Sequence, residues 1–369
     1  MRQHVDRRHA LVLQLVEERG TLRVADLARE LGVSPVTLRR DVETLAAQGR
    51  LRRLHGAVVP SRGTTPTPTH VPGPVAQSAH GTVVGMVVPT TDYYYADVVR
   101  GAREAVEAHG ARLMVALTQY LTGEDSVQAD RLLESGANGL LLTPSWETGR
   151  AGPGEGLDIA GRPVPTVLVE RSAPHGHPAA ALDRVCSDHA HGAAEAVRHL
   201  AALGHRAIAL AAQESPTSAE LRRGHAAAVA ALGLRPVPEL PRPRTPVTEA
   251  ERFERTFAHL CEAVEKHGVS AAILHSDVDA IVLVPRLRAH GIRVPGDLAV
   301  ITYDDEVASL ADLPLTAVAP AKQAVGRRAA ELLLSRLADP SGNREPGQHL
   351  NILPELRVRE SCGAPFRTA

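Results

Sequence analysis

Aromatic residues are scarce in this chain of 369 residues, which has five Tyr, three Phe and one Trp. Cysteine is also rare: Cys186, Cys261 and Cys362 form no CxxC pair and leave an odd number. This usage argues against a disulfide framework and favours a reducing compartment. No stretch approaches the roughly 18 apolar residues of a membrane span, and the first 15 residues lack the features of a signal peptide. We therefore expect a cytoplasmic protein with no membrane partner.

Signatures of catalysis and of cofactor binding are missing as well. The two lysines, Lys266 and Lys322, do not follow a glycine, so the sequence has no P-loop, and GxGxxG, HExxH and GxSxG are also absent. The paired histidines at 175–177 and 189–191 lack the Cys/His quartet that would complete a structural metal site. The sequence predicts no catalytic residue, no metal site and no cofactor.

Charge is distributed unevenly along a chain long enough for two or three domains. Residues 1–62 hold 12 Arg and 7 acidic residues, a formal charge of +5, which leaves −6 for the rest because the whole chain carries −1. A small basic end on a larger, mildly acidic body is typical of a segment that meets a polyanion. Apolar residues make up 44% of the chain and are sufficient for a folded core.

The first 80 residues divide into a compact end and a linker. Apolar spacing predicts helices over 9–18, 24–31 and 35–48, the last one opened by the N-cap Ser34 and by Pro35, and a hairpin follows over 49–59. Residues 61–80 are rich in Pro and Thr and cannot bury a core, which indicates a semi-rigid linker.

From Gly81 the pattern changes to short apolar strands that alternate with amphipathic helices. The predicted strands are 83–88, 113–117, 139–143, 165–169, 207–211, 271–274 and 298–302. The predicted helices are 96–109, 125–134, 189–203, 218–232, 249–267 and 278–290. Short, fully apolar strands between helices are typical of parallel sheets covered on both faces. Nearly 290 residues is long for one such sheet, so we expect two lobes with a cleft between them.

The amino-terminal end resembles the winged helix-turn-helix of the DeoR family of repressors. The resemblance covers residues 7–59 and is carried by VADLARELGVSPVTLRRDVETLAAQGRLRRLHGAVV. It implies a domain over 1–60 that binds a double-stranded DNA operator through its recognition helix and its wing. The DNA-binding residues implied are Ser34, Pro35, Thr37, Arg39, Arg40, Arg52, Arg53 and His55. The alternative is a three-helix interaction module with solvated arginines.

The body resembles the effector-binding core of the LacI/GalR repressors and the related periplasmic sugar-binding proteins. The resemblance is carried by HLAALGHRAIAL, AAILHSDVDAIVL, GIRVPGDLAVITYDD and PELRVRES, in that order. It implies an α/β, two-lobed, periplasmic-binding-protein-like type I core, with two parallel-sheet, Rossmann-like lobes, over 81–369. The N-lobe is expected over about 81–172 and 318–340 and the C-lobe over about 173–316 and 341–369. The chain would cross between lobes near 172–185, 314–318 and 339–348.

A sugar site is also indicated by the residues themselves. Five of the nine aromatic residues follow directly after predicted strands: Tyr93, Tyr94, Tyr95, Trp146 and Tyr303. Open α/β sheets bind ligands at the carboxyl ends of their strands. Flat rings combined with carboxylates and an arginine suit a polyol, whose hydroxyls are costly to bury without partners. The predicted ligand-binding residues, some from this placement and some carried over from the resemblance, are Asp92, Tyr94, Tyr95, Trp146, Glu170, Arg171, Arg222, Ser276, Asp277, Tyr303 and Asp304.

Some of these positions have alternative interpretations or depart from the family pattern. Asp277 also suits a helix cap and Trp146 a cover for the sheet edge; Tyr93 suits a solvent-facing position and Asp305 an exposed turn. Leu221 stands where the family places a ligand-binding Arg, with Arg222 adjacent. In addition, Pro320 stands where some sugar binders place a hydrogen-bonding side chain.

Together these features predict a homodimeric transcriptional regulator, most simply a repressor of carbohydrate uptake or catabolism. A mono- or oligosaccharide bound between the lobes would change its affinity for the operator. The alternatives are an enzyme that acts on a phosphorylated sugar, an activator with a non-sugar effector, and a solute-binding component of a transporter. The sequence does not identify the sugar, the operator or the sign of the response.

Overall fold

The computed structural model describes residues 81–121, 123–242, 247–339 and 346–365, with three short strands and a few positions before residue 61. The chain forms two compact units, Met1–Ala79 and His80–Ala369. Among the described helices, none combines the length and apolar character that a membrane crossing requires.

The first unit contains a three-stranded antiparallel sheet. Its strands are β1 (Leu22–Arg23), β2 (Leu51–Leu54) and β3 (Ala57–Pro60), in the order β1-β3-β2. The pairing of β2 with β3, with Leu54 opposite Ala57, confirms the predicted hairpin. Arg52 and Arg53 lie in β2, but their side chains are outside the described residues, as are Ser34, Pro35, Thr37, Arg39, Arg40 and His55.

The N-lobe of the second unit is built on a six-stranded parallel sheet. Its strands are β4 (Val83–Val88), β5 (Arg112–Leu117), β6 (Gly139–Leu142), β7 (Thr166–Val169), β8 (Asp183–Ser187) and β13 (His349–Ile352), in the order β13-β8-β7-β6-β4-β5. Its helices are α1 (Tyr94–Ala108), α2 (Glu124–Glu134), α3 (Leu157–Ala160) and α8 (Lys322–Ala338).

The C-lobe is built on a five-stranded sheet in the order β14-β12-β11-β10-β9. Its strands are β9 (Ile208–Ala212), β10 (Ala271–His275), β11 (Ala299–Tyr303), β12 (Thr316–Ala319) and β14 (Glu355–Arg357), of which only β14 is antiparallel to its neighbour. Its helices are α4 (His189–Ala202), α5 (Ser218–Ala231), α6 (Glu249–His267) and α7 (Asp277–Ala289).

Apolar strands covered on both faces form the core of each lobe, as the sequence predicts. Glycines bring the covering helices close together. A methyl group at Gly326 of α8 would lie 1.9 Å from the carbonyl oxygen of Val98 in α1, and one at Gly224 of α5 would lie 2.0 Å from that of Ala190 in α4. These contacts fix the helices whose amino-terminal ends border the cleft.

The three crossings between the lobes fall later in the chain than predicted. They lie between Ser187 and His189, between Ala319 and Lys322, and between Ile352 and Glu355. The predicted lobe boundaries are therefore wrong for β8 and β13, which pair within the N-lobe sheet, and for β12, which pairs within the C-lobe sheet. The cause for β8 and β13 is that β8 is mostly polar and β13 alternates polar with apolar side chains, so neither has the apolar run that identifies the predicted strands.

Candidate functional site

A cavity of about 650 Å³ lies between the two lobes, at the carboxyl ends of their strands. This volume is in the ordinary range of small-molecule sites. The N-lobe lines it with Tyr93, Tyr94, Tyr95, Tyr120, Glu170, Arg171 and Arg184 among others. The C-lobe lines it with His189, Ser215, Thr217, Glu220, His275, Ser276 and Asp304 among others.

Glu170, directly after β7, is held by a network of donors. Its Oε1 accepts hydrogen bonds from the hydroxyls of Tyr94 at 2.7 Å and Ser187 at 2.8 Å, and its Oε2 accepts one from the Ser187 backbone N–H at 3.0 Å. The Nε2 of His189 lies 3.5 Å from Oε2. Burial by itself raises the pKa of Glu170, but the interactions with His189, Ser187 and Tyr94 outweigh burial and the pKa lies below its ordinary value. The site therefore keeps Glu170 ionised.

Arg171 is the most deeply buried cation of the cavity wall, with 2% of its surface exposed. Its Nε donates to the carbonyl oxygen of Pro144 at 2.6 Å, and its Nη1 donates to the Glu170 carbonyl at 2.8 Å and to the Tyr95 hydroxyl at 3.2 Å. Its Nη2 is buried and has no hydrogen-bond partner among the described residues. Because a buried unsatisfied donor is costly, this guanidinium is suited to a polar group of a ligand.

Asp304 occupies the opposite, C-lobe wall of the cavity, directly after β11. Its backbone has φ +89°, a left-handed conformation that is uncommon outside glycine. The Oδ2 of Asp304 lies 3.2 Å from the Tyr93 hydroxyl and 3.8 Å from Nε2 of His275. The ammonium of Lys322, from the start of α8, donates to the Asp304 carbonyl oxygen. Asp304 thus meets the N-lobe through both its side chain and its backbone.

Tyr93 connects the two lobes. From the sequence, its side chain could either face solvent or lie in the site. Its hydroxyl donates to the carboxylate of Asp277 at 2.5 Å and lies within hydrogen-bond distance of Asp304. Burial and the two facing carboxylates raise the pKa of Tyr93 well above its ordinary value, so its hydroxyl keeps its proton. The solvent-facing alternative is wrong, since the side chain crosses the cleft.

The structure brings six of the predicted ligand-binding residues to the cavity wall. They are Tyr94, Tyr95, Glu170, Arg171, Ser276 and Asp304. They come from four separate segments of the chain, and their convergence follows from the parallel order of the two sheets, which aligns the carboxyl ends of the strands.

Five other predicted residues lie off the wall and need correction. Asp92 is exposed beside Thr90. Trp146 is a core residue with 3% exposure, packed so closely that a methyl group at Gly156 would lie 2.5 Å from its ring. Arg222 pairs with Glu214 and with the Ala212 carbonyl, outside the main cavity.

The remaining two corrections concern the C-lobe. Asp277 is fully buried, and its Oδ2 accepts hydrogen bonds from the backbone N–H groups of Val307 and Ala308, so it anchors that loop and does not cap its own helix. Tyr303 is fully buried in the core, where its hydroxyl lies 3.0 Å from Nδ1 of His189. Asp305, read as an exposed turn residue, is instead paired with Arg357 and Arg359.

Several wall residues were not predicted. Tyr120, His189, His275 and Arg184 all line the cavity. His275 ends β10, so its place at the carboxyl end of a strand was a usable signal. Arg184 lies within β8, which the sequence pattern did not predict as a strand. The pattern therefore could not place Arg184 at the cavity. Tyr120 lies in the loop after β5, and its aromatic side chain in that place was also a signal.

Comparison with known proteins agrees with this architecture. Residues 197–362 match the family described as periplasmic binding protein-like domain, and residues 8–62 match the DeoR-like helix-turn-helix domain. The chain is 30% identical over 277 residues to the HTH-type transcriptional regulator CelR of Thermobifida fusca, covering 73% of this chain and 76% of that protein. It is 24% identical over 356 residues to the HTH-type transcriptional regulator DegA of Bacillus subtilis, covering 94% and 99% of the two chains.

A solved structure of a CelR–cellobiose complex is similar as well. It has a TM-score of 0.60 and 27% identity, over 89% of this chain and 91% of that one.

The two-lobed fold and its polar cleft define a periplasmic-binding-protein-like effector domain joined to a DeoR-type helix-turn-helix. The chain belongs to the LacI-type family of DNA-binding transcriptional regulators. This membership confirms the predicted fold class and the predicted function as a transcriptional regulator.

Proposed function

We propose that this regulator is a repressor whose affinity for its operator falls when a mono- or oligosaccharide binds between the two lobes. It acts in the cytoplasm as a homodimer and is not an enzyme. The observation that carries the proposal is the convergence of Arg171 from the N-lobe and Asp304 from the C-lobe on one cavity.

The chemistry of the wall supports a sugar effector. Tyr94 and Tyr95 offer aromatic surface to the apolar C–H faces of a sugar ring. The Nη2 of Arg171, which has no partner among the described residues, and the carboxylate of Asp304 suit its hydroxyls. Among the relatives, CelR is described in complex with cellobiose and a Geobacillus stearothermophilus relative is named an arabinose metabolism repressor. Both names are consistent with a carbohydrate ligand for this chain.

A ligand that contacts both walls favours the closed arrangement of the lobes because it binds that arrangement more tightly. A coupling free energy of about 1–3 kcal/mol between the sugar and operator sites would change operator affinity 5- to 150-fold. In this account the operator is bound through Ser34, Pro35, Thr37, Arg39 and Arg40 of the recognition helix and through Arg52, Arg53 and His55 of the wing.

One exposed face supports the homodimer. The helix α7 buries Ala280, Leu283 and Leu287 in the core, yet its other side exposes Val278 by 47% and Val282 by 54%. Leu310, 76% exposed, follows the loop that Asp277 anchors at the start of the same helix. A second copy of this chain would cover this apolar face and place one winged helix at each half-site of a palindromic operator.

The experiment is a thermal-shift screen of the full chain against neutral and anionic sugars, followed by operator binding with the best sugar. A sugar at 100 times its Kd stabilises the folded state by about 2.7 kcal/mol, and the same sugar should weaken operator binding at least fivefold. A sugar that strengthens operator binding would contradict the repressor assignment, and turnover of a sugar phosphate would favour the enzyme alternative. If no sugar shifts the melting temperature, the effector class is wrong.

A further inference from the structure

The cavity has an arm along the polar edge of the N-lobe sheet. There β8 and β13 pair with Arg184 opposite His349 and Cys186 opposite Asn351, and all four of these residues line the cavity. Arg150, which follows β6, lines the cavity too, and it forms an isolated β-bridge with Ser172, the residue after Arg171. We name the surface formed by these five residues the basic arm; Arg171 lies where it meets the cleft.

Some arginines of the described chain have a carboxylate partner, and the three of this region do not. Arg222 pairs with Glu214 and Arg359 with Asp305. In contrast, Arg150, Arg171 and Arg184 form no ion pair with any carboxylate among the described residues. In addition, the Nε of Arg184 and the Nη2 of Arg171 are buried donors without an acceptor in that part of the chain. Two cationic residues of the cavity wall therefore each carry a buried donor that has no acceptor among the described residues.

The nearby carboxylates are already engaged by other donors. Glu170 is saturated by Tyr94, Ser187 and His189. Asp188 accepts the backbone N–H of His191 as the cap of α4. Neither carboxylate makes a hydrogen bond to the guanidinium of Arg184, so the basic arm has no internal counter-ion among the described residues.

Cys186 does not supply the missing negative charge. Its thiol donates to the carbonyl oxygen of Arg171 at 3.3 Å, and burial raises its pKa to about 12 although Arg184 and Arg171 both act to lower it. The thiol is therefore neutral at physiological pH, and the arm keeps an excess of positive charge.

From this geometry we infer that the effector is an anionic sugar, whose carboxylate or phosphate group binds in the basic arm while its hydroxyls face Asp304. The inference rests on the proposed function, since it specifies the ligand of the same cavity. Guanidinium groups bind carboxylate and phosphate oxygens through short, charge-assisted hydrogen bonds, often in pairs. A neutral sugar would leave the donors of Arg184 and Arg171 unsatisfied.

The test uses matched probes with the full chain. Glucose, galactose and ribose are each compared with their terminal phosphate and with their aldonic acid, by calorimetry and thermal shift, and inorganic phosphate alone is included. For at least one of the three sugars, an anionic derivative should bind at least tenfold more tightly than the neutral sugar. The phosphate and acid arms then show which oxyanion the site takes.

The variant is Arg184→Gln, with Arg198→Gln as the matched control, since Arg198 lies on an exposed face of α4 and pairs with Glu195. Arg184→Gln should remove most of the anionic preference, at least fivefold, and change neutral-sugar binding less than twofold. Arg150→Gln replaces it if Arg184→Gln does not fold. Arg198→Gln should keep the preference.

If neutral sugars bind as tightly as their anionic counterparts, the inference that the basic arm binds an anionic group is wrong, while the proposed function is unaffected. An anionic preference that survives Arg184→Gln and Arg150→Gln would also overturn it. Binding of inorganic phosphate alone, with no sugar of any kind bound, would overturn both the inference and the proposed function.

Discussion

The two walls of the cavity are built in different ways. On the N-lobe wall, Tyr94, Tyr95, Glu170 and Arg171 are joined by hydrogen bonds within their own lobe. On the C-lobe wall, the carboxylate of Asp304 lies 3.8 Å from His275 of its own lobe and 3.2 Å from the hydroxyl of Tyr93, which comes from the other lobe. The N-lobe wall therefore keeps its hydrogen bonds among these four residues whatever the arrangement of the lobes, although His189 of the C-lobe also contacts Glu170. In contrast, the hydrogen bond between Tyr93 and Asp304 depends on how the lobes are arranged.

This difference assigns separate tasks to the walls. A preorganised wall binds a ligand without a further ordering cost. A wall whose contacts change with lobe closure converts binding into a population shift. The following predictions test this division, first where the expected effect is largest.

Asp304→Asn should weaken binding of the effector sugar about 10- to 100-fold, because hydrogen bonds to a charged group contribute about 1.5–3 kcal/mol. Operator binding without sugar should be unchanged, and the sugar response should be lost. Calorimetry measures sugar binding, and fluorescence anisotropy measures operator binding with and without sugar. Asp130→Asn, at an exposed carboxylate paired with Arg162, is the control. If the Asp304→Asn protein responds normally to the sugar, Asp304 does not take part in binding it.

Arg40→Ala tests a region outside both walls. A base contact by this arginine would contribute about 1–3 kcal/mol, so operator affinity at fixed salt should fall at least tenfold while sugar binding and the melting temperature stay at wild-type values. Unchanged operator affinity would contradict the recognition-helix assignment.

Tyr93→Phe removes the cross-lobe hydrogen bond and keeps the ring. One hydrogen bond contributes about 1 kcal/mol, so the closed form should lose population and sugar affinity should fall about fivefold. Tyr120→Phe, at a half-exposed tyrosine of the same wall, should change affinity less than twofold. Equal effects of the two substitutions would mean that Tyr93 has no special part in closure.

The smallest effect concerns pH and His275. Burial lowers the pKa of His275, although Asp304 acts in the opposite direction. The folded state therefore resists protonation, and its stabilising contribution is complete above the ordinary histidine pKa near 6.5 and is lost as the pH falls below that value. The melting temperature should drop between pH 7.5 and 5.5, and less steeply in His275→Gln.

The exposed His290 provides the control for this pH dependence. His290→Gln should keep nearly the wild-type slope. Half-buried His205, His225 and His259 also have lowered pKa values and contribute to the slope, so His275→Gln should reduce it without abolishing it. A slope that does not change in His275→Gln would contradict the assignment.

Most of the fold was predictable because apolar runs identify buried parallel strands. The strand predicted over 271–274 is β10, Ala271–His275, and the helix predicted over 249–267 is α6 with the same bounds. The strand β8 was missed because it is mostly polar, and β13 because its polar and apolar side chains alternate over only four residues. The helix α8 was also missed, although its sequence is rich in Ala and Leu.

The site was predictable only as far as position along a strand determines it. Glu170, Arg171 and Asp304 follow strands and do reach the cavity. Position along a strand does not determine the direction in which a side chain points. Trp146 turns into the core beneath Gly156. Tyr93 crosses the cleft from a backbone with φ +52°, toward partners that are 184 and 211 residues away in sequence. Local pattern contains no information about such distant contacts.

The most direct test of the account is a crystal structure of the full chain with the sugar that gives the largest thermal shift. The account predicts that this molecule lies between the lobes and makes hydrogen bonds to Arg171 on one wall and to Asp304 on the other. A ligand bound outside the cleft, or one that touches a single wall, would contradict it.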